Sequence, residues 1–170
     1  TDDDFATVSP TQGTATGTIL DEDNGNPNDG STTDGDKPVV SIIATEPSAV
    51  EGETGNDTLE FTISQDNVSN FDTVVTVNLG TGTTVDADDI DQISYTVEGG
   101  PDVVITDTQE IADFLATGTV TIPAGSSFTP VITVTAKDDD IFENSEDLVF
   151  DISTDDDFAT VSPTQGTATG

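Results

Sequence analysis

The chain has no cysteine, histidine, methionine or tryptophan, and its 170 residues include one tyrosine and only two basic side chains, Lys37 and Lys137. Each absence removes a class of chemistry. Without Cys or His there are no ligands for the usual zinc, copper or thiolate sites. The commonest general base and the strongest side-chain nucleophile are missing for the same reason. No disulfide can staple the fold, so stability must come from the core, from a bound metal or from neighbouring domains. Two basic residues cannot make the clustered surface that nucleic acid or anionic lipid requires. No apolar run approaches the roughly 20 residues of a membrane span, so direct membrane insertion is not expected. The first residues, Thr-Asp-Asp-Asp-Phe, lack the features of a signal peptide, and any secretion signal is expected elsewhere in a longer protein.

What is present is acid. Asp and Glu number 35, for a formal net charge of -33 at pH 7. The natural counterion of such a chain is a cation. The length suits one domain of ordinary size. Hydrophobic residues make up 32%, below the usual share, yet they gather in short strand-like runs that can still build a modest core.

Residues 1–17, TDDDFATVSPTQGTATG, recur without a change as residues 154–170. Chance does not produce such an identity, and the simplest account is a tandem array of which this chain carries one full period plus an overlap. Residues 24–37 contain no large apolar side chain and are rich in Gly, Asn and Asp, the composition of a linker. The expected organisation is therefore residues 1–23 as the terminal strand of a preceding repeat, 24–37 as linker and 38–170 as a β-sandwich repeat. A flexible linker is the plain reading; stiffening by an ion is the alternative.

Period-2 alternation runs through Leu59, Phe61 and Ile63; Val75, Val77 and Leu79; Ile93, Tyr95 and Val97; Val120 and Ile122; Ile132 and Val134; and Leu148, Phe150 and Ile152. Each set places apolar side chains on one face of a strand. Clusters of Gly, Pro, Asn and Asp separate the runs. An all-β, antiparallel Greek-key sandwich of immunoglobulin-like type is expected. One segment departs from this pattern: Asp107 to Gly118 opens on a capping Asp, spaces Ile111, Phe114 and Leu115 helically, and closes on Gly. It predicts one short helix near 108–116 whose apolar face plugs an end of the sandwich.

The densest acidic cluster runs from Asp138 to Glu146, between two predicted strands. Other acids fall in comparable turns, Glu51 and Glu53 in one and Asp86, Asp88 and Asp89 in another. If these turns share one end of the sandwich, many carboxylates converge, and a bound cation relieves their repulsion. Calcium suits flexible loops that mix carboxylates with backbone carbonyls better than magnesium does. A solvated acidic surface is the competing reading, and it is preferred for the scattered acids Asp2 to Asp4, Asp102 and Asp155 to Asp157.

The segment Asp138-Asp-Asp-Ile-Phe-Glu-Asn-Ser-Glu-Asp-Leu-Val-Phe150 closely resembles the motif of Calx-beta domains, which occur in the regulatory region of sodium-calcium exchangers and in giant bacterial adhesins. Gly118 to Gly125 resembles the family's strand and turn, Val50-Glu51-Gly52 its first acidic turn, and Asp88-Asp89-Ile90 its aspartate-plus-hydrophobe. The resemblance spans nearly all of residues 38–170. It implies Ca2+ ligation by Glu51, Asp89, Asp138, Asp139, Glu143 and Glu146, with the backbone carbonyl of Ile141 contributing and Asp140 adjacent. The family also uses acids just after its last strand, which match Asp21, Glu22 and Asp23. The stretch from Asp91 to Thr117 is longer than in the exchanger domains and resembles the insert of bacterial repeat adhesins, which favours a structural role over calcium sensing.

The function expected from these readings is a calcium-binding extender or adhesive repeat of a giant bacterial cell-surface protein, extracellular or secreted, with adjacent repeats of the same polypeptide as its partners. A self-assembling filament or surface-layer subunit joined by strand addition is the alternative. An enzyme is not expected. A pair such as Glu143 and Glu146 resembles a glycosidase dyad only in residue type, and the aromatic side chains that would stack a sugar are lacking.

Overall fold

The computed structural model describes residues 37–139, 144–154 and 159–170. Every described residue belongs to one compact unit, Asp36–Gly170.

Among the described residues, ten strands and one helix follow in the order β1 (Val39–Glu46), β2 (Thr58–Gln65), β3 (Thr73–Leu79), β4 (Ile90–Tyr95), β5 (Val103–Ile105), α1 (Thr108–Thr117), β6 (Gly118–Ile122), β7 (Val131–Ala136), β8 (Val149–Ser153), β9 (Thr160–Val161) and β10 (Thr167–Thr169). They form a six-stranded sheet, β5-β4-β7-β2-β1-β9, and a four-stranded sheet, β10-β8-β3-β6. The runs β1-β2-β7-β4 and β10-β8-β3 reproduce the ABED and GFC arrangement of an immunoglobulin constant-type sandwich. The expected Greek-key sandwich is what the chain forms. One pairing differs from the antiparallel expectation, because β9 lies parallel to β1, with Val39 opposite Thr160 and Val40 opposite Val161.

The alternating residues build the core because strand side chains on one parity face the opposing sheet. Phe61, Ile63, Val75, Val77, Ile93, Val120, Ile122, Ile132, Val134, Leu148, Phe150 and Ile152 are all buried. Phe61 of β2 and Phe150 of β8 join the two sheets in an edge-to-face pair, centroids 4.8 Å apart and planes at 71°. Leu79 and Val97, expected on the same inward faces, are exposed. Leu79 is the last residue of β3 and Val97 lies beyond the end of β4, where the alternation outruns the sheet that would cover it.

The helix forms where predicted. Asp107 caps it, its carboxylate accepting from the backbone N–H groups of Gln109 at 3.0 Å and Glu110 at 3.2 Å. Ile111, Phe114 and Leu115 are its buried face. Its location corrects the expectation of an end plug: α1 packs on β4 of one sheet and on β3 and β6 of the other. The helix thus covers the flank between the sheets. Phe114 stacks on Tyr95 with centroids 5.6 Å apart, so the lone tyrosine serves as a packing surface. Among the described residues no helix is long and apolar enough to cross a membrane.

Candidate metal site at one pole of the sandwich

Three loops emerge at one pole: residues 47–57 between β1 and β2, 80–89 between β3 and β4, and the segment after β7 that leads to β8. The strands feeding the first two are irregular at this pole. Register shifts fall between Ala44 and Glu46 on β1 and between Ile90 and Gln92 on β4. Such bulges bend a strand and sharpen its twist, which redirects the loop it carries.

The first acidic turn is closed by its own backbone, with Val50 N–H donating to Asn56 O, Glu53 N–H to Val50 O and Asn56 N–H to Glu53 O, at 2.6, 3.2 and 2.8 Å. Gly52 adopts φ +70°, and a Cβ there would stand 2.7 Å from Asp138 Oδ1. Glycine is needed twice over, for the left-handed backbone and for the close approach. One residue before it, the Glu51 carboxylate accepts the Asp139 backbone N–H at 2.7 Å. Residues 88 positions apart in sequence are thereby tied at a single point.

The second acidic turn is held in a similar way. Asp89 accepts the Asp86 N–H at 2.7 Å, and Asp86 accepts the Asp88 N–H at 2.7 Å. The Lys137 N–H donates to Asp89 O at 2.9 Å, while the Lys137 ammonium donates to Asp88 O at 2.9 Å. The lysine thus stitches this turn to the segment after β7.

Glu51, Asp89, Asp139 and Glu146 line one concavity of about 440 Å³, together with Asp147, Lys137 and the last residue, Gly170. Asp138 sits beside it against Gly52. Of the expected ligands, five are thus gathered at one pole. The others, Asp140, Ile141, Glu143, Asp21, Glu22 and Asp23, lie outside the described residues. Among the described residues no three acids stand close enough to hold a metal ion by themselves. The available donors are all oxygens, from carboxylates and loop carbonyls, which fits a hard cation such as Ca2+ and excludes sites that require nitrogen or sulfur.

Sequence reasoning missed the contacts that fix the rear of the concavity. The Thr84 hydroxyl accepts the Asp147 N–H at 2.9 Å, and Asp147 O accepts the Thr84 N–H at 2.9 Å. The Thr83 hydroxyl lies within hydrogen-bond distance of Gly80 O, Val149 O and Val149 N, at 3.1, 3.1 and 3.0 Å. These bonds clamp the 80–89 loop to the start of β8. Their only trace in sequence is a Thr-Gly-Thr-Thr run of ordinary turn composition.

The chain is similar in structure to the apo form of the Calx CBD1 domain. The TM-score is 0.44 at 13% identity, covering 77% of this chain and 95% of that one. No family model matches the sequence, and no curated protein matches it.

Proposed function

We propose that this chain is a calcium-binding structural repeat of a larger extracellular protein, a module that adds length and stiffness to an array and carries no catalysis. The observation that carries this reading is the gathering of Glu51, Asp89, Asp139 and Glu146, from three separate loops, around one concavity. Like charges brought together in this way oppose folding unless a cation joins them. A calcium ion shared by carboxylates of this set and further loop oxygens would offset part of their charge and bind the three loops into one rigid pole.

The pole is also where the last strand ends, since Gly170 lines the concavity. In the first copy of the repeated segment, Gly17 is followed by Thr-Ile-Leu-Asp21-Glu22-Asp23. The same continuation after Gly170 in an array would bring three further acids to the site and place the ion at the start of the linker. Calcium would then order the junction between adjacent repeats, the partners of this module. At extracellular calcium concentrations, sites of roughly 0.1 to 1 mM affinity are filled.

The test is thermal unfolding in excess chelator, in 1 mM calcium and in 1 mM magnesium. A site of about 0.1 mM affinity contributes about 1.4 kcal/mol at 1 mM calcium. For a unit of this size that is about 5 °C in Tm. The rise is expected with calcium and not magnesium, and Asp139→Ala should abolish it. An unchanged Tm in calcium would refute the ion-stiffened module and leave an acidic sandwich kept soluble by its charge.

A further inference from the structure

Residues 159–170 complete both sheets at once. β9 forms the edge of the six-stranded sheet on β1, and β10 forms the edge of the four-stranded sheet on β8. Main-chain bonds hold the segment to both sides. Thr160 and Ser162 donate to Pro38 O and Val40 O at 2.9 and 2.8 Å, while Gln165 O accepts from Ile42 N–H at 2.8 Å. On the other side Gly166 O accepts from Ile152 N–H at 2.9 Å, and Gly170 and Leu148 exchange a pair of bonds at 2.9 and 3.0 Å.

The slot so filled is selective for small, uncharged residues. Ala159 and Ala168 are buried. A Cβ on Gly170 would meet the Phe61 ring at 2.9 Å and the Leu59 side chain at 3.3 Å. In a chain of net charge -33, residues 159–170 carry no charged side chain. Docking this segment therefore buries no charged side chain.

The same residues occur a second time, as residues 6–17, with Ala6, Gly13, Ala15 and Gly17 in place of Ala159, Gly166, Ala168 and Gly170. The chain thus carries two copies of the segment for the slot between β1 and β8. We infer that this slot is a strand-exchange site that accepts residues 6–17 of a second copy of this chain. The main-chain bonds and small-residue fit that hold 159–170 are reproduced residue for residue by the incoming copy, so recognition needs no new surface. The tether through β8 gives the resident segment the advantage of effective concentration. Exchange is gated by local release of an edge strand, a far smaller opening than global unfolding. It requires no calcium.

The absence of native cysteine allows a direct test in the full chain. Asp151 and Thr167 are paired across β8 and β10, and Thr14 is the counterpart of Thr167. A donor bearing Thr14→Cys and a size-tagged acceptor bearing Asp151→Cys with Ala168→Asp are mixed under mild oxidation, in chelator and in calcium alike. The Ala168→Asp change weakens the resident segment of the acceptor. Asp151→Cys with Thr167→Cys in one chain is the positive control.

The expected result is a donor–acceptor disulfide dimer in excess over both homodimers, in chelator as in calcium. It should fall about tenfold or more when the donor also carries Ala15→Asp, which would bury a charge in the slot. Absence of the dimer while the control closes, or a dimer indifferent to Ala15→Asp, overturns the proposal. Should the acceptor fail to fold, an acceptor retaining Ala168 is melted with the donor and cooled. A crosslinked yield that rises with protein concentration is then expected, and none at any concentration overturns the proposal.

Discussion

Two glycines of the first acidic turn separate backbone conformation from calcium chemistry. Gly52 and Gly55 both have positive φ, +70° and +86°, but an added Cβ at Gly52 meets Asp138 Oδ1 at 2.7 Å whereas at Gly55 it meets nothing within 4 Å. Alanine at either position forces a left-handed backbone on a residue with a Cβ, at a cost of about 1–2 kcal/mol. Unfolding entropy scales with chain length, so in a unit of about 135 residues that cost lowers Tm by about 4–7 °C. Asp138 is exposed, so its carboxylate can swing away from the new methyl at little further cost in stability. The displacement is felt at the ion site instead. In chelator, Gly52→Ala and Gly55→Ala should lose similar stability. In millimolar calcium, Gly55→Ala should keep the full calcium increment and Gly52→Ala should lose most of it. Differential scanning calorimetry in both buffers, with a calcium titration by isothermal calorimetry, reads both quantities. An undiminished calcium increment in Gly52→Ala would refute the role of Asp138, and equal Tm values for wild type and both variants would refute the backbone argument.

Phe150→Ala removes one ring of the pair that joins the sheets, and urea unfolding should show a loss of about 3–5 kcal/mol, since Phe150 is wholly buried. Asp107→Ala deletes the acceptor for two N–H groups at the start of α1 and should cost about 1 kcal/mol, while Asp107→Asn should be nearly neutral. Glu51→Gln keeps an acceptor for the Asp139 N–H but removes a charge from the pole. Its Tm in chelator should be unchanged or higher, and its calcium increment smaller, so a full increment would remove Glu51 from the site.

Much of this protein is written locally. Alternation at Phe61 and Ile63, at Val75 and Val77, and from Leu148 to Ile152 marks the buried faces, because strand geometry sends alternate side chains to opposite sides whatever the partner strand is. Asp107, Ile111, Phe114, Leu115 and Gly118 mark a helix because caps and helical spacing act within a few turns of chain. The duplicated segment is visible by inspection, and the acidic turns can be recognised one by one.

What local pattern does not carry is adjacency. That Glu51 reaches the Asp139 backbone, that Lys137 and Thr84 bind the 80–89 loop to its neighbours, and that α1 covers a flank are consequences of strand order. Strand order is set by long-range pairing of the whole chain, and periodicity is silent about it. The same holds for the terminal segment, whose short runs of Thr, Val and Ala give no hint that it lies parallel to β1 and then crosses to pair with β8. Its sequence by itself determined small, uncharged and extended residues. Only the tertiary structure made them the closing edge of both sheets, because backbone groups left open on β1 and β8 must find partners and this segment lies between the two.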